Sequence, residues 1–250
     1  CNVKSRAPFP TGSAIRHSHG KPVDDVREGW YHTKMEKGLD INVSKALRLL
    51  GYGDAAPDPS TADRLDEACE TVRQTARPKF TYGFFDFEKT DRGIELDGTN
   101  LLFEGKDVAE HLSRSKRCAV MAATIGAEIE RSLRELSTTD PARHVVLDAA
   151  AGAAVETLCD NVQEEIAAEA YKSGLYPTTR FSPGYGDLPL TLQPEIVRAL
   201  DMPRRIGVTV TSSCMLVPRK SVTAILGLQE EPFETTGPMC DKCRVRDHCQ

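Results

Sequence analysis

No stretch of this chain approaches the roughly 20 consecutive apolar residues needed to cross a bilayer, so the sequence predicts no transmembrane helix and no membrane partner. An excess of positive charge is missing as well. With 32 Lys and Arg against 37 Asp and Glu, the net charge is −5, which argues against a nucleic-acid partner held by broad phosphate neutralisation. The chain lacks a Walker phosphate loop and a Gly-x-Ser-x-Gly nucleophile elbow. Its nearest approach to a dinucleotide fingerprint, Gly51-Tyr-Gly53, follows a helix-like stretch rather than a strand, the wrong context for that motif. Ser212 and Ser213 have no convincing histidine partner, which speaks against a serine hydrolase. Internal repeats and low-complexity tracts are absent. So is an initiator methionine: the sequence opens on Cys1 and runs polar and rich in Pro and Gly to about residue 34. Residues 1–34 are expected to be a flexible segment, with natural translation starting at Met35. Cys1 as a processed lipoprotein terminus is the lesser alternative, and His17 and His19 are expected to bind no metal.

What is present is ordinary for a folded protein. The 250 residues are 40% hydrophobic and 28% charged, enough to bury a substantial core in one large domain or two small ones. Cys1, Cys69, Cys118, Cys159 and Cys214 are scattered without the rhythm of a disulfide framework and sit mostly inside apolar patterns. They read as thiols in a reducing compartment, hence a cytoplasmic protein. Apolar spacing predicts helices over 41–50, with Ser44 as a cap, and over 60–76, 106–113 and 193–200, plus one starting after Gly126. Strands are predicted over 79–89, 93–96, 101–103 and 117–124, and 206–211 and 222–228 look like a pair. The aromatics Phe80, Tyr82, Phe84, Phe85 and Phe87 are expected to pack a sheet against helices rather than stack nucleobases. The longest helix is predicted over 140–171, opened by Asp140-Pro141 and uninterrupted by proline. Its centre, Ala149-Ala-Ala-Gly-Ala-Ala154, allows another helix or a ligand to approach closely.

The most informative stretch is Arg180-Phe-Ser-Pro-Gly-Tyr-Gly-Asp187. An arginine fork grips carboxylates, Gly184 and Gly186 let backbone approach where a Cβ would collide, and Tyr185 offers a flat face with a polar tip. Downstream lie a strand-like Ile206-Gly207-Val208 and the element Pro218-Arg219-Lys220-Ser221-Val222. Upstream, Glu156 sits in a helical run. Taken in order, these elements resemble the activation domain of B12-dependent methionine synthase, whose Arg-x-x-x-Gly-Tyr motif holds S-adenosylmethionine (AdoMet). Arg180, Gly184 and Tyr185 match that motif, 218–222 matches the family's Pro-x-x-Ser-Val element, and Glu156 falls where the family carries a helical glutamate. Two elements of the family pattern have no counterpart here, an early Asp-Trp-Thr-Pro and a late tyrosine after a His-Pro turn.

The resemblance implies a single α+β domain over 35–228, with a twisted antiparallel sheet, flanking helices and one long central helix. It also implies an AdoMet site in which Arg180 holds the carboxylate, Glu156 accepts from the ammonium or a ribose hydroxyl, and Ser182, Gly184 and Tyr185 line the nucleoside. No catalytic residue is singled out, because in the family the nucleophile is cobalt, borne by cobalamin on a partner. That partner would be a corrinoid-binding methyltransferase protein. In the family, cobalt that has drifted to the inert cob(II) state is re-reduced by one electron and remethylated by AdoMet, and methyl transfer draws the uphill reduction forward. The electron would come from a donor such as a flavodoxin or ferredoxin.

After residue 228 the chain departs from the family and ends in a linker and cysteine-bearing tail, 229–250. Cys240, Cys243 and Cys249 offer three thiolates around one centre, with His248 or an outside atom as a fourth ligand. Either an iron-sulfur cluster or zinc suits this set. The adjacency of His248 and Cys249 strains joint ligation of zinc and favours the cluster, and three unligated thiols are the remaining alternative. Two further functions therefore stay open: an electron-delivering iron-sulfur partner of a corrinoid protein without AdoMet chemistry, and a zinc-stabilised interaction module.

Overall fold

A computed structural model describes residues 31–34, 39–53 and 55–232. Met35, His17, His19, Cys240, Cys243, His248 and Cys249 lie outside the described residues. The chain order is β1 (Tyr31–Lys34), α1 (Val43–Leu49), α2 (Pro59–Thr75), β2 (Lys79–Thr90), β3 (Gly93–Leu96), β4 (Leu102–Phe103) and α3 (Lys106–His111). Then come β5 (Arg117–Thr124), α4 (Glu128–Thr139), α5 (Pro141–Tyr171), β6 (Tyr176–Pro177), a 3-10 turn (Leu190–Leu192), α6 (Gln193–Ala199), α7 (Met202–Arg205), β7 (Thr209–Val210), β8 (Leu216–Val217) and β9 (Ser221–Gln229). The fold is α+β, as expected from the sequence.

Among the described residues one antiparallel sheet runs β4-β3-β2-β5-β9-β6, and β1 joins it beside β2. The sheet therefore begins inside the segment expected to be flexible, since Thr33 pairs with Phe80. Strand β5 lies at the centre, paired from Lys79↔Thr124 to Asp86↔Arg117 with β2 and from Arg117↔Leu228 to Thr124↔Ser221 with β9. Its near-continuous apolar run follows from that position. Alternate side chains point to opposite faces, and both faces are covered: Ala119, Met121 and Ala123 face one core, Cys118, Val120 and Ala122 the other. The first core, with Phe80, Tyr82, Ala224 and Leu226, packs under α1, α2, α4 and α5; the second, with Phe85 and Ile225, takes Val108, Leu112, Ile196 and Met202 from the short helices. The aromatic strand thus divides its rings between the two cores.

Helix α5 is where sequence and structure agree most closely. The Asp140 side chain accepts a hydrogen bond from the Arg143 N–H at 3.1 Å and Pro141 occupies the first turn, satisfying a donor that the helix itself cannot use. Its small central residues serve helix packing, because a Cβ on Gly152 would sit 3.0 Å from Leu49 Cδ1 of α1. Two expectations change. Helix α1 is capped by Asn42, which accepts from Lys45 N–H at 3.1 Å, and not by Ser44. The segments 206–211 and 222–228 do not pair: β7 pairs with β8, and β9 pairs with β5. Burial on both faces holds the apolar β9 inside the sheet between β5 and β6, which leaves β7 to form a separate small hairpin with β8.

Candidate functional site

The site is hung on the outer edge of β9. After β6 pairs Tyr176 with Gln229 and Pro177 with Leu228, the chain stays beside β9, and Phe181 exchanges both backbone hydrogen bonds with Ile225 at 2.9 and 2.8 Å. Neighbouring residues of an extended chain point to opposite faces. Phe181 consequently packs on the second core, and Arg180 turns to the face covered by α5.

There α5 presents Glu156, Asp160 and Gln163, spaced at four and three residues and so aligned on one side of the helix. Arg180 donates from Nη1 to Asp160 Oδ1 at 2.9 Å and to Gln163 Oε1 at 3.3 Å, and from Nη2 to Glu156 Oε2 at 3.0 Å. Asp160 is shared: its Oδ2 lies 2.5 Å from Nζ of Lys45 on α1. The Arg180 side chain is 19% exposed, while Glu156 and Asp160 are 45% and 46% exposed. The cluster is thus a sunken cation under two half-exposed carboxylates. Burial lowers the affinity of Arg180 for its proton, while the neighbouring Cys159, the hydrogen bond to Asp160 and the charges of Glu156 and Asp160 raise it, and the guanidinium is left still more firmly protonated. For Asp160, burial pushes the carboxyl up, yet Lys45 and Arg180 together hold it below the usual carboxylate range. Beneath the pair, burial pushes the Cys159 thiol up to about 12, so it keeps its proton and supplies no nucleophile.

The depressed carboxyl of Asp160 gives a pH prediction with a definite sign. A group whose folded value is lowered contributes stability that is present above its unfolded value and lost as pH falls through the folded one. Asp160→Asn should therefore melt below the wild type at neutral pH, and the gap should close as the pH drops below about 4. Thermal melts followed by circular dichroism from pH 7 to pH 2.5 provide the check; a gap independent of pH would contradict the ion-pair role.

Beyond Arg180 the chain turns sharply. Tyr185 N–H donates to Ser182 O at 3.0 Å, Gly184 N–H to Leu188 O at 2.8 Å, and Tyr185 itself stands half-exposed. Gly186 is required here: its φ is 53° and a Cβ would lie 2.2 Å from Asp107 Oδ2. Asp187 then caps α3 from 80 residues away in sequence, accepting from Lys106 N–H at 2.6 Å and Asp107 N–H at 3.2 Å. The turn is thereby fixed at both ends, to β9 and to α3. The Pro218–Val222 element is structural: Lys220 Nζ reaches Asp148 O at 3.0 Å and Oδ1 at 2.9 Å on α5, and Ser221 Oγ donates to Thr124 Oγ1 at 2.8 Å.

Of the residues predicted from sequence, the structure brings Glu156 and Arg180 into direct contact and places Ser182, Gly184 and Tyr185 in the turn that follows. Asp160, Gln163, Lys45 and Asp187 were missed. Helical spacing from Glu156 pointed to Asp160, but nothing local marked Lys45. A recess of about 670 Å³ lined in part by Phe85, Asp86, Arg117, Glu195 and Arg198 includes none of the predicted ligand residues; it combines the Asp86–Arg117 and Glu195–Arg198 ion pairs with uncharged residues, and the family motif lies elsewhere. Among the described residues no group of three His, Cys, Asp or Glu is placed to hold a metal ion, and the predicted ligands Cys240, Cys243, His248 and Cys249 lie outside them. No described helix is long and apolar enough to cross a membrane.

Comparison with known proteins bears directly on this geometry. The family model for the vitamin B12 dependent methionine synthase activation domain matches residues 108–235, just over half of the chain. The chain belongs to this family. The matched interval holds both sides of the ion-pair cluster, Glu156 to Gln163 and Arg180, and the turn through Tyr185, whereas Lys45 precedes it. The crystal structure of the MetH reactivation domain bound to AdoHcy has a similar fold, with a TM-score of 0.59 and 15% identity over 89% of this chain and 85% of that one. No curated protein matches. The activation-domain resemblance seen in the motifs thus extends to the architecture: the antiparallel sheet, the flanking helices and the long α5.

Proposed function

We propose that this activation-domain chain binds AdoMet at Arg180 and supports the reductive reactivation of a corrinoid protein. AdoMet, as the bound substrate, supplies the methyl group. The chain's own residues bind and orient it. The observation that carries the reading is the state of Arg180. A guanidinium has five N–H donors in a fixed fork, and Arg180 uses three of them on Asp160, Gln163 and Glu156. Two donors remain for a ligand carboxylate, on a side chain already oriented by α5. The half-exposed carboxylate of Glu156 suits the rest of an AdoMet-like ligand, whose ammonium and sulfonium are both positive. Glu156 would take the ammonium or a ribose hydroxyl, and Ser182, Gly184 and Tyr185 would line the nucleoside.

The partner would be a corrinoid-binding methyltransferase protein carrying cobalamin, with a flavodoxin or ferredoxin as electron donor. Residues Cys240, Cys243 and Cys249 with His248 would hold an iron-sulfur cluster, or alternatively zinc. Calorimetric titration of the full chain with AdoMet tests the central claim, and binding in the micromolar to millimolar range is expected. No heat at millimolar AdoMet would overturn the methyl-transfer reading and leave electron delivery or a zinc-stabilised interaction role. Iron and acid-labile sulfide measured after anaerobic purification separate the two metals; stoichiometric zinc without iron would remove the cluster.

A further inference from the structure

We infer that Asp160, clamped by Lys45, is a positioning residue that keeps the Arg180 fork available to a ligand carboxylate; this rests on the AdoMet reading above. The geometry is specific about how. Asp160 divides its two oxygens, Oδ1 to Arg180 Nη1 at 2.9 Å and Oδ2 to Lys45 Nζ at 2.5 Å. Together with Gln163 at 3.3 Å it occupies Nη1 fully, so Glu156 meets Arg180 through only one of the two donors at Nη2. Arginine and carboxylate prefer to pair in parallel through two donors. Without Asp160, the guanidinium is released to swing onto Glu156 in that bidentate form, which consumes the donors a ligand needs and neutralises the carboxylate meant for the ligand's ammonium. Asp160 prevents this by holding the other edge of the fork.

Lys45 performs the same service one step back. A half-exposed aspartate with one cationic partner is free to choose its rotamer and to pair with Arg180 through both oxygens. The Lys45 ammonium holds Oδ2 and leaves only Oδ1 for the arginine. Lys45 lies in the first turns of α1, and α1 packs against the small-residue stripe of α5 where Leu49 meets Gly152. The placement of a short helix that precedes the family-matched region thereby reaches the ligand-binding arginine. A supporting shell of this kind decides whether a binding group is held in its productive geometry.

The test compares AdoMet and 5′-methylthioadenosine, which lacks the amino-acid carboxylate, by calorimetry on the full chain. Asp160→Ala and Lys45→Met should each weaken AdoMet binding by about tenfold, while Asp160→Asn, which keeps an acceptor for Nη1, should recover most of the loss. Affinity for 5′-methylthioadenosine should be the same in the wild type and all three variants, a result that general damage to the fold would not give. If the wild type binds AdoMet and Asp160→Ala and Lys45→Met bind it equally well, or more tightly because a competitor has been removed, the positioning role is wrong and the AdoMet reading stands. If the wild type binds no AdoMet, both fall together.

Discussion

Replacing Arg180 with alanine is expected to weaken AdoMet binding by about 1.5 to 3 kcal/mol, the scale of a lost charge-assisted hydrogen bond. The structure adds a reason for the upper part of that range. Removing the guanidinium deletes the group proposed to meet the ligand and also leaves Glu156 and Asp160 facing each other without the cation between them. Like charges on adjacent helical turns repel, and Lys45 compensates only Asp160. Arg180→Lys should recover only part of the affinity, because an ammonium on a flexible stem cannot reproduce three hydrogen bonds and a spare edge at once. Calorimetry of wild type, Arg180→Ala and Arg180→Lys with AdoMet decides the matter. Equal affinity in all three would show that the ligand binds elsewhere.

A second large effect is expected at a position outside the ligand motif. Gly105→Ala should destabilise the fold by about 2 to 5 kcal/mol, combining the strain of a disallowed backbone with overpacking. Gly105 has a φ of 136°, and a Cβ there would lie 2.4 Å from Asp187 Oδ1 and 2.8 Å from its Cγ. The substitution pushes on the carboxylate that caps α3 and closes the ligand turn, so AdoMet affinity should fall along with stability. Gly98→Ala is the control. Gly98 also has a positive φ, 71°, but nothing lies within 4 Å of its Cβ position, and strain alone should cost about 1 to 2 kcal/mol. Urea melts of the two variants test the contrast; equal midpoints would mean that the Asp187 contact does not constrain the turn.

The links between Gly105, Asp187 and the Arg180 turn show where sequence reasoning reached its limit. The Asp187 cap joins residues 80 and 81 positions apart, and no local pattern announces such a partner. The Gly184 and Gly186 turn was legible because glycine marks backbone that other residues rarely adopt. That Gly186 is needed to pass Asp107 was not legible, since the collision exists only once α3 is docked. Asn42 and Ser44 are both residue types that suit a helix cap, and the structure starts α1 at Asn42, whose side chain accepts from Lys45 N–H.

By itself the sequence determined the long helix with its Asp140-Pro141 start, the central strand 117–124, the α+β class and the ordered motifs that mark the family. These are local or periodic features, encoded in the spacing of apolar side chains and in the few residue types that tolerate caps and sharp turns. Tertiary structure alone decided which strands flank β5. Strand β9 joins β5 because only a position inside the sheet buries both of its faces, and its other edge pairs with β6 and Phe181, which aims Arg180 at α5. Only that arrangement makes Lys45, Asp160, Glu156 and Arg180 one electrostatic unit, because Coulomb attraction and hydrogen bonding depend on distance in space, and residue 45 lies 135 positions before residue 180 along the chain.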